Sequence, residues 1–192
     1  MQFAAPRHFL IPDMKFRIKL IFSMTLGAFM ASTGRASAET WDLEILGWVE
    51  NAQLPAIGME LKAKLDSGAE TSSLDARIIK KFRKNGRRWV RFAVTDRESG
   101  EEFVLVRERT RTIGVVQHDG SRQNRPVVTM RVCIAGQVLE TEVSLIDRSA
   151  FIYPLLLGRS TLESFALIDP GNTFLGKSDC TSRPDAVEPP GE

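Results

Sequence analysis

Histidine is scarce in this chain, with two among 192 residues, and there are only two cysteines and one tyrosine. No HExxH or CxxC spacing occurs, so a zinc centre would need scattered carboxylates to complete it, and none is expected. A glycine-rich Walker-type loop is missing as well, which leaves no cradle for a nucleotide phosphate, and no cofactor is expected. An excess of one charge is also lacking: 26 Lys and Arg face 24 Asp and Glu, with 43% hydrophobic residues. That balance describes an ordinary globular domain, neither a dedicated nucleic-acid binder nor a disordered chain. Long apolar runs are absent too. The mostly apolar stretch Leu20 to Thr33 falls short of the about 20 residues that a membrane-spanning helix needs.

That stretch follows the basic Met14-Lys15-Phe16-Arg17-Ile18-Lys19 and precedes Ala36-Ser37-Ala38, the three parts of a secretory signal. Residues 1–38 are therefore expected to be removed, with Met14 an alternative start, an uncleaved membrane anchor being the competing reading. The remaining 154 residues carry 21 basic and 23 acidic side chains, and His118 is their single histidine. A periplasmic or secreted location follows, with no stable membrane span after cleavage and no nucleic-acid partner. In such an oxidising compartment Cys133 and Cys180 either form a disulfide or stay as a buried thiol and an exposed one.

Strand-like runs bounded by turn residues dominate the rest. Met59, Leu61, Ala63 and Leu65 alternate on one face after Pro55 and Gly58. Arg88 to Thr95 and Glu102 to Val106 flank Arg97-Glu98-Ser99-Gly100. Ile113 to Gln117 and Pro126 to Ile134 flank His118-Asp119-Gly120-Ser121, and Val138 to Ile146 follows Ala135-Gly136-Gln137. Two stretches look helical: Leu74 to Phe82, apolar at Leu74, Ile78, Ile79 and Phe82, and Ser160 to Phe165. The pattern predicts an all-β barrel or sandwich over residues 39–176 with one or two short helices, then a flexible tail over 177–192.

The chemically informative segment is Leu65-Asp66-Ser67-Gly68-Ala69-Glu70-Thr71. A strand delivers a carboxylate, and the small residues behind it permit a tight turn that presents the Asp. The Asp-Ser-Gly-Ala run resembles the active-site signature of aspartic peptidases. Leu155-Leu156-Leu157-Gly158-Arg159 resembles the apolar-apolar-Gly-Arg element near the end of retroviral-type peptidases. In that family the Arg pairs with an acidic residue four positions beyond the catalytic Asp, which implies an ion pair between Glu70 and Arg159. The fuller pattern is closer to a bacterial family of retropepsin-like proteins often labelled ATP-dependent zinc proteases. Its marks here include Leu46-Gly47-Trp48-Val49-Glu50, Ala63 to Leu74, Trp89-Val90-Arg91-Phe92, Asp147-Arg148-Ser149, Tyr153-Pro154 and Asp169-Pro170.

The resemblance implies a retropepsin-like acid-protease barrel, one lobe per chain, with Asp66, Ser67 and Gly68 catalytic and Ala69, Glu70 and Arg159 supporting them. Peptide hydrolysis by this route needs two carboxylates sharing a proton around a water. One Asp-Ser-Gly-Ala is present, so the expected active form is a homodimer meeting at Asp66, with a peptide or protein as substrate and Ser67 bonding across the interface. Asp169 and Asp147 are the other candidate carboxylates, and both read more simply as turn residues. The hairpin from Ile113 to Val127 is a candidate flap over the cleft.

Two basic stretches remain: Arg77 to Arg91 has eight basic residues and no acid, and Arg107 to Arg125 has five against Glu108 and Asp119. They serve an anionic partner, such as a glutamate-rich peptide, a cell-wall polymer or a membrane surface, or else form a solvated rim. The second reading is the more economical one, because charge runs mostly keep a surface wet. A rival to the peptidase reading is a non-catalytic module of the same fold that binds a peptide or an envelope component.

Overall fold

The computed structural model describes residues 43–116, 120–177 and 180. The chain divides after Glu39 into two units, and the first, with the expected signal segment, lies outside the described residues. So do 117–119, where His118 falls, and most of the expected tail. The described part opens with β1 (Glu44–Gly47), β2 (Val49–Leu54), β3 (Met59–Leu65) and β4 (Ser72–Asp75). There follow β5 (Arg77–Lys84), β6 (Arg87–Thr95), β7 (Glu102–Val116), β8 (Arg122–Ile134) and β9 (Gln137–Ile146). β10 (Leu155–Leu157), helix α1 (Arg159–Leu162) and β11 (Ala166–Asp169) complete it.

Six of these strands close on themselves. Their order is β2-β3-β10-β4-β9-β8, and β2 meets β8 again through Ala52 with Ile134 and Gln53 with Cys133. Alternation accounts for the closure: Met59, Leu61, Ala63 and Leu65 are buried, while Glu60 and Lys62 between them are exposed. Their inner faces meet Leu54, Leu74, Val128, Val132, Leu145 and Leu155 in one core. The fold is the all-β retropepsin-like barrel expected from the sequence.

β7, β6 and β5 extend the sheet outward from β8. The expected helix over Leu74 to Phe82 is not formed; that stretch is the end of β4 and most of β5. Its apolar spacing fits a helix only if the residues share one environment, and they do not. Leu74 is buried in the barrel core, whereas Ile79 is 43% exposed on the sheet edge, and a register shift lies between Ile78 and Lys80. Asn85 and Gly86 both have positive φ, 52° and 75°, and form the two-residue turn that folds β5 onto β6. Five of the eight basic residues in the first charged stretch lie on β5, the outermost strand, where repelling cations deter edge-to-edge pairing.

The second helical expectation holds over a shorter range, as α1. β1 ends at Gly47, where the backbone of Asn172 and Thr173 comes within 2.6 Å of any Cβ placed there and so requires glycine. β1 then pairs in parallel with β11 as a separate two-stranded sheet.

The chain beyond β11 returns to the barrel. Trp48 N–H donates to the Asn172 carbonyl (3.1 Å) and Phe174 N–H to that of Val49 (2.9 Å). The buried Glu50 carboxylate accepts the N–H groups of Gly47, Leu175 and Gly176 at 2.6, 2.9 and 3.1 Å. Cys133 and Cys180 form a disulfide with Cα atoms 6.0 Å apart, the bridged one of the two alternatives. The bond ties the chain to β8 at Cys180, inside the stretch expected to be a flexible tail. Replacing both cysteines by serine is expected to lower the unfolding free energy by about 2–4 kcal/mol. Urea denaturation under non-reducing conditions measures this, and an unchanged midpoint would show that the link adds nothing to the Glu50 tie.

Candidate active site

Asp66 stands one residue beyond β3. Its position is set by β10, which inserts between β3 and β4, parallel to the first and antiparallel to the second. The Asp66 N–H donates to the Leu157 carbonyl at 2.9 Å, continuing the ladder one step past the strand. The chain then turns: Ala69 N–H reaches the Asp66 carbonyl (3.2 Å), and Gly68 N–H reaches Asp66 Oδ1 (2.9 Å). A Cβ on Gly68 would sit 3.1 Å from that same Oδ1, so the glycine leaves the carboxylate unobstructed. Ser67 and Gly68 are exposed, and among the described residues the Ser67 hydroxyl has no hydrogen-bond partner.

The far side of the loop is held by the Gly-Arg element. Arg159 N–H donates to the Ala69 carbonyl (2.8 Å), and the Ser160 N–H and hydroxyl both donate to the Glu70 carbonyl (3.1 and 2.9 Å). The approach requires glycine at 158, where a Cβ would lie 2.7 Å from the Glu70 carbonyl oxygen. Beneath it, the buried Ser72 hydroxyl accepts the Gly158 N–H at 3.0 Å and bonds the Thr161 hydroxyl, which bonds that of Thr141.

The expected ion pair between Glu70 and Arg159 is not formed. The Arg159 guanidinium donates instead to the carbonyls of Ser67 (2.9 Å) and Gly68 (3.3 Å). Glu70 meets α1 through its main-chain carbonyl, which leaves its exposed side chain outside the turn that the guanidinium spans. Asp147 and Asp169 are both occupied with their own turns. Asp147 accepts the Ser149 N–H (2.9 Å); Asp169 accepts the Gly171 N–H and the Asn172 amide (both 2.8 Å). Among the described residues no three His, Cys, Asp or Glu side chains converge as a metal site.

Two neighbours of the site escaped the sequence reading. Lys64, on β3, places its Nζ 3.1 Å from Asp66 Oδ2. Partial burial pushes the Asp66 carboxyl up, but the Lys64 hydrogen bond, the Gly68 amide, the Lys64 charge and the Ala69 amide together hold it below its ordinary value. The signal was the i, i+2 spacing of Lys64 and Asp66, which puts both on one face at the strand end. The other is Arg148, nearly buried, whose Nη1 donates to the Ser73 hydroxyl at 2.8 Å. Its signal lay in the Asp147-Arg148-Ser149 mark.

One Asp-bearing loop, braced by β10 and α1 at the mouth of a closed barrel, is a single lobe of the aspartic-peptidase architecture. The chain belongs to the RimB-like family, described as retropepsin-like aspartic endopeptidase RimB, whose pattern matches residues 45–179. The crystal structure of Lpg0085, a Legionella pneumophila protein of unknown function, is 34% identical with a TM-score of 0.60, covering 70% of this chain and 98% of that one. A probable alpha-L-glutamate ligase of Shewanella pealeana is 31% identical over 134 residues, and one of Parasynechococcus marenigrum 34% over 136. These matches cover 68% and 69% of this chain and 29% of each ligase, so the chain spans less than a third of those relatives.

The Lys64 contact generates a signed expectation. A carboxyl held below its ordinary pKa contributes stability that is present above the unfolded value and is lost as pH falls through the folded one. Lys64→Met should therefore move the Asp66 titration to higher pH, followed by carbon NMR of the carboxyl. An unmoved midpoint would assign the whole effect to the loop amides.

Proposed function

We propose that this chain is an exported aspartic endopeptidase whose active site is completed when two copies meet at Asp66, and that it cleaves peptides containing α-linked glutamate. The observation that carries the reading is the presentation of Asp66, rigidly placed by the β3 and β10 ladder, beside exposed Ser67 and Gly68 and, among the described residues, without a carboxylate partner. When a second Asp66 approaches, two like charges about 3 Å apart cannot both stay ionised, and the pair retains one proton. The ionised member takes a proton from the bound water as that water attacks the scissile carbonyl. The protonated member donates to the carbonyl oxygen.

Support for the dimer comes from the β1 and β11 sheet beside the loop. Ile45 and Leu167 are cross-strand partners, 64% and 54% exposed, and a hollow of about 360 Å³ lined by Ser67, Arg159, Leu162 and Leu167 adjoins them. Apolar side chains exposed together favour a covering surface. Export is supported by the signal pattern of residues 14–38 and by the disulfide, which persists in oxidising compartments. The glutamate preference is supported by the ligase name of the relatives and by the arginines around the site.

Asp66→Asn is expected to abolish cleavage of an α-glutamyl peptide at mildly acidic pH, with loss of more than about 10³-fold in turnover. Specific activity of the wild type should fall on dilution as dimers dissociate, followed by sedimentation alongside the assay. Retained cleavage by the Asp66 variant would sink the aspartic mechanism. A binding-only module would show peptide affinity with no turnover at any protein concentration.

A further inference from the structure

β4 leaves the catalytic loop carrying polar side chains at two-residue intervals, and each holds an arginine from a different element. Thr71, just before the strand, accepts from Arg111 of β7 at 3.2 Å. Ser73 accepts from Arg148, which follows β9, at 2.8 Å. Asp75 accepts from Arg97, at the tip between β6 and β7. Ser72, between them, points the other way into the Gly158 and Thr161 network. Three guanidiniums therefore follow one another along the segment from Thr71 to Asp75.

Their remaining bonds separate structural members from available ones. Arg97 is engaged through both terminal nitrogens: besides Asp75 it donates to the carbonyls of Phe151, Ile152 and Arg148 at 2.7, 3.1 and 2.8 Å. Arg111 is paired with Glu142 at 2.7 Å through Nε, with Nη1 left over. Arg148 donates from Nε to the Tyr153 carbonyl (3.2 Å) and stacks over Phe151 at 4.6 Å, while its Nη2 has no hydrogen-bond partner among the described residues. Arg125 of β8 lies within electrostatic reach of Arg148, as do Asp66, Asp75 and Arg97, and its side chain donates to the Gln123 amide oxygen (2.8 Å). Neither Arg125 nor Arg148 has an ion pair among the described residues, although burial penalises the charge of both. A desolvated guanidinium with spare donors is an unfilled carboxylate receptor.

We infer that Arg148 with Arg125, and Arg111 one step away, form a two-position reader for acidic side chains of an extended peptide lying along β4. The match is one of spacing. Arg148 and Arg111 contact β4-side residues two apart, about 7 Å along an extended chain, and side chains on one face of a bound extended peptide recur at the same interval. The reader selects Glu at one substrate position and again two positions on, with the intervening side chain facing away. Arg111 and Arg125 sit on the paired strands β7 and β8, so two of the three arginines of the reader come from neighbouring strands of one sheet. The inference rests on the peptide-substrate reading but not on turnover.

The test uses the full chain carrying Asp66→Asn, so that binding is read without cleavage. Fluorescein-labelled glutamine hexapeptides are compared by anisotropy, one with Glu at positions two and four, the other with Glu at two and three. The first is expected to bind at least about fivefold tighter although net charge is equal, and Arg125→Gln or Arg111→Gln should remove that preference. Arg148→Gln should do the same, and if it fails to fold the other two variants decide. Arg83→Gln, on β5, should leave the preference intact. Equal affinity for the two peptides, a preference surviving both Arg111→Gln and Arg125→Gln, or equal loss in Arg83→Gln would overturn the reader. Preference without wild-type cleavage would sink the peptidase reading alone.

Discussion

The site depends on one strand three residues long. β10 lies between β3 and β4, the strands on either side of the Asp66 loop, and among the described residues no other strand joins them there. Its last carbonyl receives the Asp66 amide, and the residues after it bind the loop from behind. The loop is therefore closed by an element about 90 residues away in sequence, and its shape belongs to the finished barrel. A short strand can do this because both of its edges are paired and Leu155 and Leu157 are fully buried, so each of its ladder bonds is protected from water. The glycine that follows is the point where that chain cannot thicken: the Glu70 carbonyl and the Thr71 carbonyl carbon stand where a side chain would go.

Below that contact the polar groups are few and satisfied. Ser72, Thr161 and Thr141 pass a chain of hydroxyl bonds across the interior, ending on the Gly158 amide, and Ser144 bonds the Ser72 carbonyl at 3.0 Å. In a low-dielectric interior such a chain specifies one arrangement, because losing any member strands another. Glu50 acts similarly on β2, where a buried carboxylate gathers three amides and brings 172–176 back to that strand. Both devices align segments remote in sequence. Neither was visible as a pattern, since a buried Glu or Ser looks like any other until its partners are known.

What could be read in advance follows the range of the interaction. Period-two alternation in Met59 to Leu65 is local, and it identified β3 and the strand end that carries Asp66. The Asp-Ser-Gly-Ala and Leu-Leu-Gly-Arg runs were legible because close backbone approach restricts residue type at each position. The stretch from Leu74 to Phe82 was misread because helical spacing of apolar residues does not reveal that one lies in the core and another on a sheet edge. Asn85-Gly86, a strong hairpin signal, was there to correct it. The Glu70 and Arg159 pair failed for a different reason. A guanidinium has five donors, and spacing alone does not say whether a carboxylate or two carbonyls will receive them.

The same logic bears on Asp66 in the proposed dimer. An isolated Asp66 beside Lys64 and two loop amides keeps its charge at little cost, since the ammonium offsets partial burial. A second carboxylate arriving at the loop changes the balance, because the pair needs a proton that a lone, Lys-paired Asp does not favour. Lys64 thus favours the ionised Asp66 of the single lobe and would oppose the protonated member of the proposed pair. For the two carboxylates to share a proton near neutral pH, the ammonium must turn away or its charge must be screened by the closing interface. Lys suits this better than Arg would, because its flexible stem and single charge centre can leave without abandoning a planar set of bonds. Half-buried at the mouth of the barrel, it has room to do so.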